Sequence, residues 1–311
     1  MAEEPIPLRE FSEPAAVNRA LQAAIRGREG VLDSIPSIPV ILQTLIAELA
    51  QPPESVNIVE VADLIGRDKS LTAQCLRMAN SPLFGRGQRT DSIRGALRTL
   101  GLGHTRDIAV SCTIMQIGAS QKVLDPVVFW EHSLGCAIIS RKLARSVGFD
   151  DPEKAYLGGL LHDIGYIVNL VLSPQVTKAA LEKASSDGTF AGEAEYRELG
   201  FTHCQSGELV ARKWHFPDDI VEVILSHHNP AAAVLNPALV TIVALADRLC
   251  RSSRLGLGYS ETQNPAEVWQ SDWKILAEHC PLAGQMTWDD FVKDTDAYFE
   301  EIRELVKTMF R

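Results

Sequence analysis

His162 and Asp163 stand side by side in DPEKAYLGGLLHDIGYIVNLVL (151–172), a stretch otherwise almost wholly apolar beyond its first turn. A carboxylate in such surroundings gives up several kcal/mol of hydration, so it must be protonated, paired or bound to a cation. The adjacent imidazole points to the third. Taken alone, the dipeptide also fits a polar pair that holds two helices in register. Other groups of the same chemistry recur along the chain: His132 in FWEHS, His203 in FTHCQ, the adjacent His227 and His228 in ILSHHNP, and Asp247 in IVALADRLC. Each has a plainer reading singly. His132 fits a hydrogen-bonded core histidine, and His227 with His228 fit a cationic helix C-terminus. Together they are different, because neutral imidazole plus carboxylate is the ligand set of Zn, Mn, Fe, Co or Ni. Seven such groups suffice for two ions sharing one bridging aspartate.

The elements that must position these groups read as helices. Asp151 and Pro152 form an N-cap and first helical position, with Glu153 near the positive helix end, and the spacing then predicts one central helix to Leu172. Ahead of it, AVNRALQAAIRGREG predicts a peripheral helix ending at Gly30, and Ile41, Leu42, Leu45, Ile46 and Leu49 have the spacing of another. Asn57, Asp68 and Asp91 are expected to cap three further helices, and Gly101 with Gly103 to interrupt the last. Past His132, Thr202 opens one helix, Asp218 caps the next, and LVTIVALADRLCR carries Asp247. No convincing alternating strand appears, so the fold class is all-α. The pattern divides the chain into a peripheral helix (1–30), a helical N-terminal lobe (31–124), a helical lobe bearing the ligands (125–255) and a helical C-terminal extension (256–311).

Composition narrows the function. The 311 residues are 46% hydrophobic and 23% charged, with a formal net charge of −10. That balance disfavours a nucleic-acid or anionic-membrane surface, which needs clustered Lys and Arg; the local run Arg86, Arg89, Arg94 and Arg98 reads as a solvated face. MAEEPIPLREF lacks the basic start and apolar core of a secretory signal, and no apolar stretch is long enough for a bilayer, so a cytoplasmic location is expected. The six cysteines are scattered without a CxxC pair and read as reduced core thiols. Cys204, beside His203, is the one nearest the chemistry.

The order His132, His162-Asp163 within LLHDIG, and Asp247 within ALAD resembles the H…HD…D pattern of the HD superfamily of metal-dependent phosphohydrolases. From about Ile35 to Asp247 the chain more closely resembles an HDOD domain, the HD-related output domain of bacterial signalling proteins. SIPSIPVILQTL, IGRDKSLTAQCLRMANSPLFG and IRGALRTLG carry the likeness in the first lobe; FWEHS, AYLGGLLHDIG, HCQSGELVARKW and PDDIVEVILSHH carry it in the second. The resemblance implies a two-lobed helical fold and a regulatory role exercised through a signalling protein partner or a nucleotide-type ligand. Similarity to HD-GYP cyclic-di-GMP phosphodiesterases further implies His132, His162, Asp163 and Asp247 around one divalent ion (Fe, Mn, Zn or Ni) and Asp163, His203, His227 and His228 around a second. Two departures stand against that activity: Tyr166 replaces the lysine that follows HDIG in those enzymes, and NPAAAVLNPALV replaces the GYP-bearing loop. The alternative is a metal-dependent phosphohydrolase of nucleotides or cyclic dinucleotides, with Asp163 the catalytic bridging carboxylate. A third reading, a diiron redox sensor, follows from the diiron oxygenases of the same superfamily.

Overall fold

Where the sequence places a small polar residue ahead of an apolar run, the chain turns into a helix there. The structure, a computed structural model, describes Thr44 and residues 58–85, 89–119, 126–187, 191–256, 265–293 and 295–309, and among them there are helices and no strands. The expected helices before residue 58, the Asn57 cap, Arg86 and the first lobe boundary, at 124–125, lie outside the described residues.

The first lobe contains α1 (Ile58–Arg67), α2 (Lys69–Ala79), α3 (Ile93–Leu100) and α4 (Leu102–Ala119). Asp68 caps α2 as expected, its Oδ1 accepting the Leu71 amide at 2.9 Å. At α3 the cap is Ser92, not Asp91: Asn80 clamps Thr90 from both sides of its peptide unit, and the Ser92 hydroxyl is then the group that meets the Gly95 amide. Arg89, Arg94 and Arg98 are exposed, the solvated face that the sequence suggested.

The second lobe runs through α5 (Pro126–Ser146), α6 (Pro152–Leu161), α7 (Gly165–Leu172), α8 (Pro174–Asp187), α9 (Ala191–Leu199), α10 (His203–Lys213), α11 (Asp218–Ser226) and α12 (Pro237–Ser252). Asp151 accepts the Lys154 amide as the cap of α6. Asp218 is the first residue of α11 rather than its cap, a place that Pro217 takes, so its carboxylate serves the positive helix end directly. The C-terminal segment adds α13 (Pro265–His279), α14 (Trp288–Val292) and α15 (Asp296–Met309); α13 packs on α12, and α15 lays Phe299, Ile302 and Val306 inward along α5.

Arg141 ties the lobes together. Its guanidinium, buried on α5, pairs with Asp107 of α4 at 3.2 Å and lies over the rings of Phe84 and Tyr156, whose hydroxyl meets Ser111 at 2.8 Å. A buried ion pair is tolerable because its remaining faces are covered by aromatic quadrupoles and hydrogen bonds.

The central stretch is not one helix. It breaks at His162-Asp163-Ile164, where the amides of Ile164, Tyr166 and Ile167 bond three residues back instead of four. Both side chains reach one centre here, His162 Nε2 lying 3.4 Å from Asp163 Oδ2, at a tightened turn. It is possible only with glycine at 165: a Cβ there would lie 1.8 Å from the His203 carbonyl oxygen and 2.8 Å from the Gly207 amide nitrogen. Gly165→Ala is therefore expected to cost at least about 2 kcal/mol, since backbone on both sides must move. Urea unfolding measures it, and a wild-type midpoint in the variant would contradict the close approach.

Candidate metal centre

Five segments deliver the polar groups to one point in the second lobe. α5 supplies His132, the turn between α6 and α7 supplies His162 and Asp163, the first residue of α10 is His203, the end of α11 carries His227 and His228, and α12 presents Asp247. His203 is set by a capping box in which the Thr202 amide donates to Gln205 Oε1 at 2.9 Å. Asp247 rides on a helix with fourteen buried residues, so its carboxylate has no route to water.

Asp163 is the hub. Its Oδ2 lies 3.4 Å from Nε2 of both His132 and His162, and its Oδ1 lies 3.4 Å from His203 Nε2 and 3.6 Å from His227 Nε2. Asp247 Oδ1 meets His132 Nε2 at 2.9 Å and His162 Nε2 at 3.5 Å, and its Oδ2 lies 3.9 Å from His228 Nδ1. None of these seven side chains is more than 7% exposed.

The outward nitrogens of four imidazoles are already committed. His162 Nδ1 faces the Gly159 carbonyl at 2.8 Å, His227 Nδ1 the Ile224 carbonyl at 3.0 Å, and His132 Nδ1 the Leu255 carbonyl at 3.0 Å. His203 Nδ1 faces Glu195 Oε2 at 2.7 Å. Because a carbonyl or carboxylate only accepts, each Nδ1 carries a proton, and in the neutral ring Nε2 is then a lone-pair donor aimed inward. Leu255 can reach His132 because Gly256 turns the chain at φ 111°, with the ring pressed against its Cα side where a Cβ would come within 2.9 Å. At the centre, His162 Nε2, His227 Nε2, Asp163 Oδ1 and Asp247 Oδ2 are buried without a hydrogen-bond partner. Buried polar atoms are rarely left so, and here they converge on one point. A cation is the group that satisfies them all, and the donor set of imidazole and carboxylate fits a divalent transition metal.

In the ion-free centre protons stand where a cation would. Burial pushes the His132, His162 and His203 rings down, but Cys136 beside the first, Asp163 beside the second and Cys204 with Glu195 beside the third outweigh it and hold all three well above the usual imidazole range. Burial pushes the Asp163 and Asp247 carboxyls up, but the histidine ring of His162 for the first and the Arg251 guanidinium for the second outweigh it and hold both well below the usual carboxylate range. Burial and the adjacent His228 press His227 down to about 3, so it is neutral at any ordinary pH. Cys136 and Cys204 lie beside the cluster, 3.7 Å from His132 Nε2 and 3.5 Å from His203 Nε2. Burial pushes both thiols up, so they remain protonated spectators unless an ion displaces the proton.

All seven residues singled out in the sequence are thus brought together. Two further residues of the cluster were not singled out there. Glu195 of α9, wholly buried, accepts from both the backbone amide and Nδ1 of His203 and is itself held by Asn169 at 3.0 Å. Arg251 of α12 bonds Asp247 Oδ1 through Nε at 2.7 Å and Asp163 Oδ2 at 3.3 Å. In the sequence Glu195 looks like one more solvated residue of AGEAEYREL, and Arg251 like an ordinary helix partner of Asp247 four residues earlier. Tyr166, which the sequence comparison set against a lysine, lies flat on His203, ring centroids 4.2 Å apart.

Comparison with known proteins supplies the context. The HDOD domain family model matches residues 35–230. A solved structure of an HDOD domain protein of unknown function from Geobacter sulfurreducens superposes with a TM-score of 0.82 at 29% identity, covering 95% of this chain and 98% of that one. A candidate phosphohydrolase from Shewanella amazonensis SB2B shares the fold at a TM-score of 0.69 and 23% identity, covering 93% and 97%. An uncharacterized protein of Treponema pallidum is 25% identical over 238 residues, 74% of this chain; the matched part is under half of that relative, 44% of its length.

Glu195 orients His203 and strengthens it as a donor. Glu195→Ala is expected to weaken divalent-ion binding about 10–100-fold, with Glu195→Gln, which keeps an acceptor, intermediate. Equilibrium dialysis with Mn2+ measures it; unchanged affinity in Glu195→Ala would show that the buried carboxylate does not act on the centre.

Proposed function

This chain belongs to the HDOD family, and on that premise we propose that it is a signalling output module whose second lobe is built around a buried divalent-metal centre and which acts by binding a signalling protein partner or a nucleotide-type ligand. The observation that carries the reading is the set of unpartnered inward atoms of His162, His227, Asp163 and Asp247, the two rings fixed by hydrogen bonds behind them and all four nearly sealed from solvent. Such a centre holds helices α5, α7, α10, α11 and α12 in one arrangement, and whatever binds the surface then meets a rigid lobe. The burial of every ligand and the ring of Tyr166 on His203 favour a structural or sensing role over turnover.

A second reading, metal-dependent hydrolysis of a phosphoester, is favoured by the way Asp163 offers one oxygen to His132 and His162 and the other to His203 and His227. A bound divalent ion supplies Lewis acidity toward a phosphoryl oxygen. In this reading Asp163 bridges the two halves of the centre and the histidines hold its geometry. Phosphate recognition is left without assigned residues.

On the first reading, stripping the ion lowers the melting temperature, and free ion at a hundred times its Kd restores about 2.7 kcal/mol of stability. His162→Ala abolishes that response. Calorimetry in chelator and in Mn2+ measures both, alongside assays with bis-p-nitrophenyl phosphate and cyclic dinucleotides. Metal-dependent phosphate-ester cleavage that disappears in His162→Ala would establish the second reading instead.

A further inference from the structure

The two carboxylates at the centre are not equivalent on their two sides. Asp163 Oδ2 and Asp247 Oδ1 both touch the Arg251 guanidinium, at 3.3 and 2.7 Å, and both also face His132 Nε2. Their other oxygens, Asp163 Oδ1 and Asp247 Oδ2, have no hydrogen-bond partner. Arg251 is 7% exposed and one helical turn from Asp247, so it is part of the buried cluster and cannot swing to solvent without exposing the pair. The neighbouring Arg248 is committed elsewhere, to Asp272 of α13. Arg251 is therefore the cation that faces the cluster from α12.

We infer that Arg251 is a built-in cation that takes the place of one metal ion, so that this centre binds a single divalent ion tightly, on the side of Asp163 Oδ1, His203, His227 and His228. Formal charge gives the reason. Three buried carboxylates, Asp163, Asp247 and the Glu195 that holds His203, are reduced to two net negative charges by Arg251, and one divalent ion brings the cluster to neutrality. A second ion placed beside His132, His162 and Asp247 would leave two net positive charges and would share both of its carboxylate oxygens with the guanidinium. In a water-poor pocket such like-charge crowding is costly. Without Arg251, the first ion would leave one negative charge in the cluster, and the second position would be open to occupation.

The inference rests on the metal reading above, and the experiment separates the two. Purified full-length protein is stripped with chelator, then titrated with Mn2+, a hard ion that does not favour the thiols of Cys136 and Cys204. Bound ion per chain is read by equilibrium dialysis with elemental analysis, and folding of each variant by circular dichroism. Wild type is expected to bind one Mn2+ tightly. Arg251→Gln, which keeps hydrogen-bond donors but no charge, is expected to bind two, the second at least about tenfold more tightly than in wild type. Arg251→Lys, which keeps the charge, is expected to stay at one. Two ions of comparable affinity in wild type would overturn the inference while leaving the metal centre standing; so would a folded Arg251→Gln variant that still binds one. No bound ion in any form would overturn both. Should Arg251→Gln not fold, the wild-type and Arg251→Lys stoichiometries still decide.

Discussion

Two carboxylates sealed inside helices impose the constraint from which the second lobe follows. Asp163 and Asp247 are almost wholly buried, in segments that are otherwise apolar. Taking an ionised carboxylate out of water costs several kcal/mol unless partners restore the lost interactions. Arg251 restores part of it on one side. On the other side the chain offers imidazole nitrogens, and a cation, proton or metal ion, must lie between them and the carboxylates.

Much of the local architecture serves that arrangement. The break between α6 and α7 brings adjacent residues to one centre, and Gly165 allows the turn to touch α10. Gly256 sends the chain leaving α12 back over His132 so that a carbonyl accepts a hydrogen bond from its Nδ1. Glu195 does the same for His203 with a full negative charge. These features share one logic: the outer face of each ring is tied to the backbone or to a buried acid, so the inner face is fixed in direction before anything binds.

The helical class and the seven polar groups were legible from the sequence because burial leaves a trace there. A His-Asp pair in LLHDIG and an aspartate in VALAD are conspicuous against apolar neighbours, and caps such as Asp68 and Asp151 announce helix starts. What was not legible depends on contacts between distant segments. A strong apolar run hid the break at 162–164, since periodicity cannot register a turn that stays nearly helical in its dihedrals. Ser92 supplanted Asp91 because of Asn80, ten residues before Thr90. Glu195 and Arg251 went unseen because, on amphipathic or mixed helices, a buried charged residue and a solvated one are written with the same letter.

The most direct test of the account is where a metal ion resides in crystals of the full chain. Anomalous diffraction collected at the absorption edge of the bound element predicts a peak within bonding distance of Asp163, His203 and His227, with Arg251 still lying on Asp163 and Asp247. Strong diffraction after metal supplementation with no anomalous density among these side chains would contradict it.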